Sequence, residues 1–473
     1  MAEQQETRGS AESVRTLTRM LCAVSDDVFS PAAMRQAQLL LLDTIGCGIA
    51  GAGEPVARAV ADVALQGGGR AECVVIGQAQ KAGMLSAVLA NGAAVRVLDL
   101  NDYLVGDSKG QPETAGHPSD NIPVALAAGE ARGCSGAAIL ESIVIGYELY
   151  ARAQRLISQG GAWDAVTVSG LVAASMGGRL LRLDEDRLAH ALALGLVRSA
   201  TPAVVRSGHI SAAKSIANAP VAQAGTQAAL LAERGITGPL PILDHARGLR
   251  DVFCDADITH LTAPIGANSA ILRAHVKAYP CINTGQSAVA AALKLRAMMK
   301  DRIEDIAGID LVMADYAVIK RHQEDPGRLR PNSREAADHS FPFLVAVTLL
   351  DGAFGLAQFE GKRWQDSRVK MLMEKIAMSR DAGWNARAPG AFPCRLRARF
   401  PDGQQFEAEI DYPPGFSRAG LDADAVIDKF HAVTAPHLDR PARERIVDAI
   451  MEFHHSPSTG ELSAAVGTQG IAK

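Results

Sequence analysis

Apolar residues along the first 265 positions recur at three- and four-residue intervals, with short polar breaks between the runs. Ser30-Pro31 reads as an N-cap followed by proline at the first helical position, and it opens the buried run MRQAQLLLLDTIG. Residues 82–96 and 135–152 read as further helices, the second carrying Ile139, Ile143 and Tyr147 on one face. Helical spacing continues through 166–180, 185–196 and 211–234. No run of strict alternation interrupts this stretch, so 1–265 is expected to form an all-helical domain.

The pattern then changes. Segments 309–319, 375–379, 394–400 and 405–410 have the alternating or β-branched character of strands, and amphipathic helices at 287–299 and 340–350 lie between them. Residues 266–415 are therefore expected to form a smaller α+β lid domain with an antiparallel sheet. Residues 422–453 are helical again, which returns 416–455 to the first domain, and the Ser/Gly/Ala-rich stretch 456–473 is expected to be a mobile tail. The fold class is mainly α.

Composition narrows the partners. A net charge of −4 and a pI near 6.3 provide no basic stripe for a phosphate backbone, so nucleic acid is not expected as a partner. An anionic substrate would need a local cationic pocket. The seven cysteines include no C-x-x-C pair, which suits reduced thiols in a cytoplasmic protein better than a disulfide framework. The polar, acid-containing N-terminus lacks the pattern of a secretory signal, and no apolar run reaches the ~20 residues of a membrane span.

Gly46-Cys47-Gly48-Ile49-Ala50-Gly51 matches G-x-G-x-x-G, but it follows a helical run and not a strand. Its glycines read as small residues where helices cross. The densest polar segment is Leu98-Asp99-Leu100-Asn101-Asp102-Tyr103, followed by Gly116-His117-Pro118-Ser119-Asp120-Asn121. Its carboxylates, histidine, serine and amides suit either proton transfer to an oxygen-rich substrate or helix capping. A calcium loop would place glycine sixth and glutamate twelfth where Leu104 and Gly110 stand, and no H-E-x-x-H or His/Cys cluster occurs, so no metal is expected. Lys214, in Arg206-Ser207-Gly208-His209-Ile210-Ser211-Ala212-Ala213-Lys214, has small or apolar neighbours. It is either buried, where an ammonium must pair or lose its proton, or it snorkels to the surface.

Taken in order, the LLLLDTIG helix, Ala90-Asn91-Gly92 running into LDLND, GHPSDNIP, Ser211 to Lys214, LAERGITGP, Lys277-Ala278-Tyr279-Pro280 and REAADHSFPF resemble the MmgE/PrpD family over nearly the whole chain. That resemblance implies a large helical domain with an α+β lid, a homodimer, and no metal or organic cofactor. The implied chemistry is dehydration, decarboxylation or epimerisation of small polycarboxylates between the domains. It also implies that Asp99, His117 and Lys214 are catalytic, and that Lys277 and His339 reach the site from the lid. On this basis His117 is expected to move the proton and Asp99 to orient it, while Lys214, Lys277 and Arg206 hold carboxylates. Asn101, Asp102, Tyr103, Ser119, Tyr279 and Gln286 are expected to contact the substrate. The chain looks closest to the dehydratase branch but departs from it twice. Tyr103 stands where threonine is usual and Thr284 where histidine is usual.

Overall fold

The computed structural model describes residues 11–25, 28–105, 116–157, 161–208, 210–245, 247–249, 258–267, 269–300, 302–387, 392–416 and 420–467. His209, residues 106–115 and the end of the tail lie outside them. The described chain is mainly helical, with a smaller α+β part.

The central helix Pro31–Gly51 starts where Ser30 accepts a hydrogen bond from the Ala33 amide and Pro31 presets φ. It is buried along most of its length, and its glycines are packing contacts. A Cβ on Gly51 would come 2.1 Å from the Ala94 carbonyl oxygen, so the helix Met84–Arg96 can cross closely only there. Gly46 likewise faces the Phe430 ring. The expected helix over 211–234 is interrupted, and Ala213–Ile216 precedes Asn218–Glu233. Pro220 falls in the first turn of the second piece, where its missing N–H leaves no helical bond unmade.

Two apolar cores form. The larger gathers the helices up to residue 276 together with Val426, Phe430, Ile446, Ile450, Leu462 and Val466 from the C-terminal segment. That segment is two helices, Ala423–Thr434 and Arg440–Met451, separated at Pro436 and restarted behind Asp439 and Pro441. The stretch expected to be a mobile tail from residue 456 is partly ordered in its described residues. Gly460–Gly467 is helical, because Leu462 and Val466 have apolar partners in the larger core.

The smaller core packs the helices Gln286–Met299 and Phe341–Asp351 on a four-stranded sheet. Its strands are β3 (Gly308–Ala314), β4 (Ile376–Asp381), β5 (Cys394–Arg399) and β6 (Gln405–Ile410), in the order β4-β3-β5-β6. The expectation of an antiparallel sheet needs correction: β3 and β4 are parallel, and the other pairings are antiparallel. Several helices connect β3 to β4, and such a crossover allows a parallel return that a tight turn would forbid. The strand expected over 309–319 also stops at Ala314. Ile319, His322 and Gln323 are buried at helical spacing within Ala317–Glu324.

A two-residue ladder that alternation could not reveal joins the cores: β1 (Tyr103–Leu104) pairs with β2 (Ala274–His275). It brings the polar segment at 98–103 beside the chain that carries Lys277. Among the described residues no single helix is long and apolar enough to cross a membrane.

Candidate active site

Arg96 ends an apolar helix, and the next turn holds Asp99 in the left-handed region at φ 51°. For a residue with a Cβ that conformation is strained and needs surrounding contacts to hold it. Those contacts are cations. The Asp99 carboxylate accepts hydrogen bonds from Arg96 Nη1 at 2.6 Å, from Lys214 Nζ at 2.9 Å and from Lys277 Nζ. Lys277 Nζ also donates to the Asp99 carbonyl at 2.9 Å. All four residues are buried, Lys214 being 1% exposed and Lys277 0%. Burial alone would raise the Asp99 pKa, but Arg96, Lys214 and Lys277 outweigh it and hold the carboxyl well below the usual range.

Lys214 continues the chain of charges into the smaller α+β part, donating to Asp338 Oδ2 at 2.8 Å. Asp338 in turn pairs with His339 Nδ1. Burial pushes Asp338 up to about 6 against the pull of Lys214. On the other flank Arg96 Nε lies 3.6 Å from Asp120, whose pKa burial lifts to about 6.

His117 is oriented from beneath. Gly116 has φ 82°, and a Cβ there would sit 2.5 Å from the Tyr150 hydroxyl, so glycine is required at the entry to this turn. The His117 ring then places Nδ1 2.5 Å from the Asp102 carbonyl oxygen. A carbonyl can only accept, so Nδ1 carries the proton and Nε2 keeps its lone pair. Burial, reinforced by Arg96 and Lys277, drives the His117 pKa well below the ordinary histidine value, so the ring is neutral at pH 7. Asp102 is held by Tyr147 at 2.7 Å and Ser119 at 2.5 Å, and Asn101 ties Ser119 and Asp120 together at 2.8 Å each.

A cavity of about 500 Å³ opens at this cluster. Asp99, His117, Arg206, Lys277 and His339 line it. Arg206 holds Asp164 through Nε at 2.5 Å. Lys214 lies behind the wall, where it bridges Asp99 and Asp338. Six positions expected to contact substrate do not line this cavity. Asn101, Asp102 and Ser119 form the layer under His117, where their polar atoms bond one another. Tyr103 is buried against His275 in the β1–β2 ladder, and Tyr279 packs edge-on to Phe354. Gln286 clamps its own loop, accepting from the Ala278 and Tyr279 amides and donating to the Tyr279 carbonyl.

The wall also carries Arg96, Asp120, His322 and Arg328, which sequence reasoning did not select. His322 sits 3.4 Å from the Thr284 hydroxyl, one of the two positions that depart from the dehydratase pattern. Asp99, Asp338 and His339 bring one ligand atom each within 4.8 Å, a spacing a metal could use. The oxygens concerned already accept from Lys214 and Lys277, so an ion there would face two ammonium groups. The donor set fits an anion better than a cation.

Residues 15–262 match the family model described as the MmgE/PrpD N-terminal domain, and 279–453 match its C-terminal domain. A 2-methylcitrate dehydratase from Salmonella typhimurium is 25% identical over 458 residues, spanning 90% of this chain and 91% of the relative. The cis-aconitate decarboxylase-like protein oryM from Aspergillus oryzae is 24% identical, spanning 92% of both chains. A cis-aconitate decarboxylase from Aspergillus terreus is 22% identical, spanning 91% of this chain and 90% of the relative. With both domain models matched in order over most of its length, the chain belongs to the MmgE/PrpD family.

Proposed function

We propose that this protein is a lyase that eliminates water from a small hydroxy-polycarboxylate of the 2-methylcitrate type, using side chains alone. The observation that carries this reading is the neutral His117 ring, whose Nε2 has no hydrogen-bond partner among the described residues, set in a wall rich in cations. Such a base can take a proton from the carbon next to a carboxylate only if the developing negative charge is stabilised. Fixed cations in a dry cavity do this far better than water does.

In the proposed step, His117 Nε2 removes the proton, a carbon–carbon double bond forms, and the carbon–oxygen bond breaks. The leaving hydroxyl takes a proton from Lys277 and departs as water. Lys277 makes two hydrogen bonds to Asp99, one to its carboxylate and one to its carbonyl, so one of its three protons is available. Burial lowers its pKa, which makes it a better acid. Arg206 and Arg96 hold carboxylates. The similarity to proteins named 2-methylcitrate dehydratase supports elimination, and the relative named cis-aconitate decarboxylase supports a polycarboxylate as the substrate class.

The test is incubation of the purified full chain with a panel of hydroxy-tricarboxylates and hydroxy-dicarboxylates in deuterated water. Ultraviolet absorbance from a new conjugated alkene is expected. Deuterium exchange at the α-carbon with no alkene would replace elimination by epimerisation, and loss of carbon dioxide would replace it by decarboxylation.

The two carboxyls near 6 give a pH prediction. Anion binding raises the pKa of Asp120 and Asp338 further, so binding takes up protons and tightens as pH falls from 7.5 to 6. Calorimetry of tricarballylate binding in buffers of different ionisation enthalpy measures this uptake. Proton release, or weaker binding at pH 6, would contradict it.

A further inference from the structure

Two cations of the cavity, Arg328 and Arg321, have no part in the chemistry just described, and only Arg328 is buried. Arg328 lies in the short helix Pro326–Leu329, lines the cavity from the lid side and is 4% exposed. Its Nη2 donates to the Arg206 carbonyl at 2.8 Å. Its Nε and Nη1 have no hydrogen-bond partner among the described residues. The neighbouring carboxylate, Asp325, approaches Nε only to 3.4 Å and is committed elsewhere, accepting from the Gly327 amide at 2.9 Å and the Gly208 amide at 3.3 Å.

The surroundings add positive charge. Arg206 also lines this cavity, as does the exposed Arg321, which among the described residues forms no ion pair. Burial, helped by Arg321 and Arg206 and opposed by Asp325 and Asp338, lowers the Arg328 pKa to about 10. A guanidinium desolvated with donors unmatched destabilises the free protein, and such a group is kept where a ligand completes it.

We infer that Arg328 is a specificity-determining residue whose unpartnered nitrogens bind a substrate carboxylate remote from the carbon that loses its proton. This rests on the polycarboxylate reading and deepens it, because it calls for a third carboxylate on the lid side. Arginine suits the role better than lysine, since its donors are planar and fixed in direction.

The experiment compares Kd for tricarballylate and for 2-methylsuccinate, which lacks one terminal carboxylate, by calorimetry on the full chain and on R328M and R328K. The wild type is expected to prefer the tricarboxylate. R328M should weaken tricarballylate by about 10- to 100-fold while changing 2-methylsuccinate by less than about 3-fold. R328K, which keeps the charge but not the planar fork, should still lose several-fold on tricarballylate alone, and it decides the matter should R328M fail to fold. The ligand-free R328M protein should melt no lower than the wild type, because an incompletely paired buried charge has been removed. Equal losses on both acids, no loss on tricarballylate, or a lowered melting point with both acids weakened would overturn the role of Arg328 and leave the polycarboxylate reading standing. A wild type that binds neither acid would instead overturn that reading, and this inference with it.

Discussion

His117→Ala lowers kcat by about 10²- to 10⁴-fold on the hydroxy-acid that the wild type dehydrates, the range for losing a positioned proton-transfer group. The geometry limits the alternatives: the Asp102 carbonyl fixes the proton on Nδ1, so the base is Nε2. The substitution leaves the Asp99 cluster intact, because no charged hydrogen bond of that cluster passes through His117. Thermal stability should therefore stay near that of the wild type while turnover collapses. The sign of the pH dependence follows from the depressed pKa. A histidine with the ordinary value gains a proton and stops acting as a base below pH ~6.5. His117 is held well below that value by burial, Arg96 and Lys277, so kcat should hold between pH 7.5 and 6. Steady-state rates of the two proteins across that range check both statements. A tenfold fall in wild-type kcat per pH unit below 6.5, or an active alanine variant, would remove His117 from the role.

Asp99→Asn is expected to destabilise the fold by about 3–5 kcal/mol, the usual result of removing one partner from a buried ionic cluster. Arg96, Lys214 and Lys277 converge on this carboxylate, and all three are buried. An amide cannot neutralise them, and its NH₂ group would face donors. The linkage has a definite direction. The folded-state pKa of Asp99 is depressed, so its contribution is present above the ordinary carboxylate range and is lost as pH falls through the folded value. Asp102, raised to about 7, and Asp120 and Asp338, raised to about 6, act in the opposite sense. They weaken the fold at neutral pH and return that stability as pH drops from about 7 toward 4. The gap between wild type and Asp99→Asn should accordingly persist from pH 8 to 5 and narrow only below that. Urea unfolding midpoints at a series of pH values measure it. A variant as stable as the wild type at pH 7 would mean that Asp99 is not the common counter-ion.

Much of this site is legible in the chain because its residues stand in polar clusters beside apolar helices. Asp99, His117, Lys277 and His339 all belong to such clusters, and Lys214 is conspicuous among alanines. What stays hidden depends on tertiary contact. Arg96 looks like an ordinary helix terminus until Asp99 and Asp120 are seen on either side of it. Arg328 looks like part of a Pro/Gly loop until its burial is known. The layer behind the cavity wall is hidden for the same reason. Asn101, Asp102, Ser119 and Gln286 have the chemistry of substrate ligands, and only the structure places their partners within the protein. In the fold, helical periodicity carried the first domain well. The direction of β4 could not be read, since alternation is identical in parallel and antiparallel strands. The last helix was missed because its Ser/Gly/Ala-rich sequence has only Leu462 and Val466 to bury.

The central claim is that His117, in the cavity wall, is a neutral imidazole with its proton on Nδ1 and its Nε2 unprotonated. A ¹⁵N-histidine NMR titration tests it directly, with His117→Gln used to assign the resonance. The expected result is an Nδ1–H tautomer that does not protonate between pH 7.5 and 6. A proton found on Nε2, or a midpoint near the ordinary histidine value, would contradict it.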